Sequence, residues 1–117
     1  FLFDKMINIC CLAKYFLKHS KIMIVSFGDK LTKKIWDDES PIKGFSADFV
    51  KKAYKKLYYI NLASDVEVLC FPPSNHLEKL QGNLKDFWSI RIDRKYRIIF
   101  KFDSGNAYDV EISKHYQ

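Results

Sequence analysis

The sequence predicts an α+β domain, with two N-terminal helices packed on one face of a mostly antiparallel, twisted sheet of about four strands. Three observations lead there. Apolar residues recur at helical spacing between positions 31 and 60. Three runs near the C-terminal end, 87–92, 96–102 and 108–113, alternate with the period of a strand. Turn-forming residues separate these runs.

Met23-Ile-Val-Ser-Phe27 reads as a short apolar strand and as the natural start of the domain. Gly28 and Asp29 end it, and Asp29 is placed to cap a helix running to about Glu39. Leu31 and Ile35 stand four apart on one face of that helix. Pro41 and Gly44 interrupt the chain before a second helix. Ser46 is its N-cap, and Asp48 lies in its first turn. Phe49, Ala53, Leu57 and Ile60 face the core by spacing. Lys51, Lys52, Lys55 and Lys56 fall on the other side as a basic ridge. Its ordinary reading is a solvated face, and its functional reading is contact with RNA or the ribosome. Residues 63–85 contain Pro72, Pro73, Asn75 and Gly82 and form a long connection.

The 117 residues suit one domain, and 48% hydrophobic with 16% aromatic residues exclude a disordered chain. Twenty Lys and Arg against fourteen Asp and Glu leave a net charge of +6, which points to an anionic partner, either nucleic acid or a membrane surface. Residues 1–22 read as an extension compatible with a helix, and residues 23–117 as the domain. Half of the excess charge lies in the extension, which holds four lysines and one acid. Asp4, Lys5, Asn8 and Lys14 interrupt its apolar character, so it does not fit a membrane span. Its basic residues come too late for a signal peptide. Cys10 and Cys11 are adjacent and Cys70 stands apart, which gives neither a disulfide framework nor a zinc motif. A reducing, cytoplasmic compartment is the simplest expectation, with no metal and no cofactor.

Strand parity sharpens the reading. Trp88, Ile90 and Ile92 share one face, as do Tyr96, Ile98, Phe100 and Phe102, and Tyr108, Val110 and Ile112. These faces point to the core if one side of the sheet is buried. Even-numbered core residues on both strands of an antiparallel pair require hairpin loops of odd length. A three-residue turn at 93–95 then sets Arg91 opposite Arg97. Lys95, Glu111, Ser113 and His115 have the same odd parity and belong to that face. The plain reading is a surface salt bridge from Asp109 or Glu111 to Arg97. The functional one is a phosphate site, because two forked guanidiniums bind phosphate oxygens and a His beside them exchanges protons.

The ordered set Pro72-Pro-Ser-Asn-His-Leu-Glu-Lys-Leu-Gln-Gly82, Trp88-Ser-Ile-Arg-Ile92, Tyr96-Arg-Ile-Ile-Phe100 and Tyr108-Asp-Val-Glu-Ile112 resembles the HigB toxins of the RelE/ParE superfamily. The likeness runs from Met23 to the C-terminus. It implies a RelE-like fold and a ribosome-dependent, metal-independent endonuclease that cuts mRNA in the ribosomal A site. It implies a HigA-type helix-turn-helix antitoxin as partner, with operator DNA bound only through that complex. In such enzymes the ribose 2′-hydroxyl attacks the adjacent phosphate and the 5′-oxygen leaves.

The resemblance carries Arg91 and Arg97 over as phosphate contacts. It places proton transfer on His115, with Tyr116 second. The family pattern ends Asp-Tyr-His, and here His115 and Tyr116 stand in exchanged order after Lys114. The family's loop lysine is Gln81 in this chain, so Lys79 or Lys85 is expected to contact RNA in its place, together with Lys95. His76 fills a slot where relatives often have Arg, and reads as a loop residue. Two other readings compete: a non-catalytic module binding RNA or antitoxin on the same fold, and a membrane-surface protein using residues 1–22.

Overall fold

The computed structural model describes residues 24–38 and 41–114. The expectations for residues 1–22, His115 and Tyr116 lie outside the described residues. The chain forms α1 (Lys30–Asp38) and α2 (Ala47–Leu62), then β1 (Glu78–Lys79), β2 (Trp88–Arg91), β3 (Tyr96–Asp103) and β4 (Asn106–Lys114). The two helices thus stand mid-chain rather than at its N-terminal end. The strands form one antiparallel sheet in the order β1-β2-β3-β4.

Both helix starts follow local chemistry. Asp29 Oδ1 accepts from the Thr32 N–H at 2.9 Å, and Ser46 Oγ accepts from the Phe49 N–H at 3.1 Å. The helices cover one face of the sheet. Ile35, Ala53, Leu57 and Ile60 meet Ile90, Ile98, Phe100 and Val110, all fully buried. Phe45, Phe49 and Tyr96 form an aromatic cluster with centroids 4.8–5.5 Å apart, which fastens the start of α2 to the start of β3. Thr32 is also wholly buried, and its Oγ1 accepts the Ile112 N–H at 2.9 Å, tying α1 to the edge of β4.

Four further expectations change. The segment at 24–27 makes only isolated parallel bridges to β4, Ile24 to Ala107 and Phe27 to Val110. Its ladder is interrupted because Ser26 Oγ accepts the Asp109 N–H at 2.9 Å. Tyr108 is not on the core face: Ala107 is buried there instead. The reason is a β-bulge, since Ile99 pairs with Glu111 but Lys101 pairs with Tyr108, leaving one extra residue on β4. Asp109 adopts φ 51° in that bulge. The bulge also removes the odd-loop requirement for the second hairpin, which turns on two residues, Ser104 and Gly105, with φ 53° and 82°. The first hairpin keeps it, with Asp93 Oδ1 accepting the Lys95 and Tyr96 N–H groups at 2.8 Å.

The long connection is the third change. It contains three 3₁₀ turns, Val66–Cys70, Pro73–Asn75 and Gly82–Leu84, and the two-residue strand β1. Lys56 is the fourth, because it does not belong to a solvated ridge. It is only 8% exposed, and its Nζ donates to Asn75 Oδ1 at 2.5 Å. Asn75 Nδ2 in turn donates to the Leu69 and Phe71 carbonyls at 3.0 Å. The connection is therefore pinned to α2 through one buried amide.

Candidate functional site

The two arginines are brought together as the parity argument expects. Arg91 on β2 pairs directly with Arg97 on β3, and Arg97 pairs onward with Ser113 on β4. Their face lies opposite the helices. It is not wholly solvated, for Ser89 and Ile99, directly paired there, are 3% and 5% exposed. Arg91, Arg97, Ser89, Glu78 and His76 line a small pocket on this face. Like charges directly opposite on a strand pair are unfavourable, so this arrangement suits an acidic group beside them, either the Glu78 that lines the same pocket or a bound anion.

The acids of β4 are engaged elsewhere. Asp109 pairs with Lys101 at 3.4 Å. Glu111 packs against Gly28, where a Cβ would collide with the Glu111 carboxylate. Burial, first, and then the nearby Asp29 and Asp109 carboxylates raise the Glu111 pKa above the usual glutamate value.

The lysines divide. Lys79 pairs with Trp88 and its Nζ lies 5.2 Å from that ring, so it stands on the helix side of the sheet. Lys85 is exposed at the end of the last 3₁₀ turn. Lys95 is in the β2–β3 turn with its Nζ 5.9 Å from the Tyr96 ring. None of the three joins the arginine pocket.

Two features escape the sequence reading. His76 is held at φ 46° by its N–H bond to the Pro73 carbonyl at 3.1 Å, and it reaches the arginine pocket. Its neighbour Asn75, anchored by Lys56, sets that position. A histidine after a Pro-Pro-Ser-Asn run was the available signal, but only the buried anchor tells which way it stands. The second feature is a larger cleft of about 420 Å³, to which α2 contributes Lys52, Lys55 and Tyr59 and the β2–β3 turn contributes Arg94. Arg91 and His76 line both cavities. In this cleft desolvation, reinforced by Lys55, lowers the Lys56 pKa. Among the described residues no helix is long and apolar enough to cross a membrane.

The fold and site are those of a small α+β domain with opposed strand arginines beside a basic cleft. Comparison with known families narrows the class. A family model described as "RelE-like toxin of type II toxin-antitoxin system HigB" matches residues 25–115. The chain is 30% identical over 93 residues to Toxin HigB-1 of Vibrio cholerae serotype O1, covering 80% of this chain and 98% of that protein. It is 29% identical over 69 residues to an uncharacterized protein of Haemophilus influenzae, covering 59% of this chain and 68% of that one. The chain belongs to the HigB family of RelE-like toxins. Membership makes it the toxin of a type II toxin–antitoxin pair, so an antitoxin is its partner.

Proposed function

We propose that the protein is a ribosome-dependent mRNA endonuclease acting in the ribosomal A site. The opposition of Arg91 and Arg97 beside His76 carries this reading. In the reaction the 2′-hydroxyl attacks the adjacent phosphate, the O2′–P bond forms and the P–O5′ bond breaks. Negative charge grows on the phosphate oxygens, and two guanidiniums preset around them stabilise it more than they stabilise the ground state. No metal or cofactor enters this scheme. His115, with Tyr116 second, moves the protons, and Lys79, Lys85 and Lys95 bind RNA away from the reacting phosphate. A HigA-type antitoxin blocks the site and supplies the only contact with operator DNA, and the pair acts in the cytoplasm.

Induction of the toxin, followed by mapping of RNA ends, tests the scheme against an Arg97→Ala variant. New cleavage ends confined to translated messages are expected with the wild type and not with the variant. Cleavage that persists unchanged in the variant overturns the site. Rapid cutting of naked RNA at physiological salt overturns the dependence on the ribosome.

The exchanged order of His115 and Tyr116 favours one second reading, a non-catalytic module that binds RNA or antitoxin on this fold. Intact transcripts and normal growth on induction are its expected outcome.

A further inference from the structure

The larger cleft has a chemistry of its own. Its cations come from separate elements: Lys52 and Lys55 from α2, Arg94 from the β2–β3 turn and Arg91 from the end of β2. Lys52 and Lys55 are exposed and three apart, so they share a helix face. The one acid lining the cleft, Asp93, already spends Oδ1 on the backbone of its own turn. The cleft therefore keeps a strong excess of positive charge, and its volume lies in the range of sites for small organic ligands.

Arg91 and His76 line both this cleft and the arginine pocket, so the two cavities adjoin. A strand held at Arg91 and Arg97 has the cleft directly beside it, because Arg91 belongs to both. We infer that the cleft holds a neighbouring nucleotide of the same single-stranded RNA, with its phosphate against Lys52, Lys55 and Arg94. The identity of the strand rests on the endonuclease reading, whereas the phosphate chemistry of the cleft does not. An acidic protein segment would be drawn by charge alone, but the continuity with a pair of forked guanidiniums favours phosphodiester.

The test uses the whole protein without ribosomes and a fluorescent five-nucleotide single-stranded RNA. Binding is followed by anisotropy as salt is raised. The Lys52→Ala/Lys55→Ala double variant is expected to bind about tenfold more weakly or worse, with a log–log salt slope shallower by about one to two. Arg94→Ala is expected to move both in the same direction. A dinucleotide with a single phosphate should bind wild type and variants alike. All three residues are exposed, so unchanged melting curves are expected to accompany the loss.

Equal affinities and slopes overturn the inference. So does RNA binding that is unchanged while neutralisation by the antitoxin is lost, which would make the cleft a protein site. If the wild type does not cut messages on ribosomes but the variants still weaken RNA binding, the endonuclease reading fails and the cleft stands. If the wild type cuts and the variants bind and cut as it does, the cleft alone fails.

Discussion

Arg91 and Arg97 face one another across β2 and β3 in direct register, two guanidiniums on the sheet face away from the helices. Like charges directly opposite on paired strands are destabilising. Arg91→Gln is therefore expected to melt at the same temperature or a few degrees higher, while the proposed mRNA cleavage falls about a hundredfold, the scale of removing one preset charge-stabilising group. Parallel thermal melts and end-mapping measure the two. A variant that loses stability and keeps activity would remove the arginine pair from the site.

The Lys56–Asn75 contact is expected to be the costliest polar bond to break in the loop region. Asn75→Ala deletes one acceptor and the two-carbonyl donor together, in a fully buried setting. A loss of about 2–4 kcal/mol is expected from the buried ammonium and carbonyls left without partners. Chemical denaturation measures it, and a loss below about 1 kcal/mol would mean that the loop is held some other way.

Thr32→Val keeps the shape of the side chain and removes the acceptor of the Ile112 N–H. An unsatisfied buried amide costs about 1–3 kcal/mol. Hydrogen exchange at Ile112 should quicken in this variant more than at Ile98, whose pairing to β2 is untouched.

Glu111 gives the pH-dependent prediction. Its pKa is raised above 4.5 in the folded protein by burial and by Asp29 and Asp109. Between the two values the folded chain holds a proton that the unfolded chain has released, so stability falls as pH rises through that window. Above that window the carboxylate is ionised in both states and the whole penalty is present. Glu111→Gln should thus raise the melting temperature at pH 7, and the gain should shrink as the pH is lowered toward and below 4.5. A gain that stays constant across that range would assign it to packing against Gly28 instead.

Much of the site was legible from strand alternation. The period of two, the three-residue turn and the core positions Ile90, Ile98 and Ile112 sufficed to set Arg91 against Arg97, because a slip by one residue would expose a core face. The same reasoning failed at Tyr108. The bulge at Asp109 depends on Ser26, 83 positions away, and no local pattern carries that bond. Lys56 failed likewise, since helical spacing puts it beside exposed lysines and says nothing of the Asn75 amide waiting above it.

The sequence by itself determined the fold class, the helix caps, the arginine opposition and the family likeness. All of these rest on neighbours a few residues apart or on a periodic pattern that burial enforces. Only the tertiary structure decided that His76 and Arg91 join the arginine pocket to a basic cleft between α2 and the β2–β3 turn. That arrangement depends on a loop anchored by one buried lysine–asparagine contact across 19 positions, and closing such a distance is a property of the packed chain rather than of any segment within it.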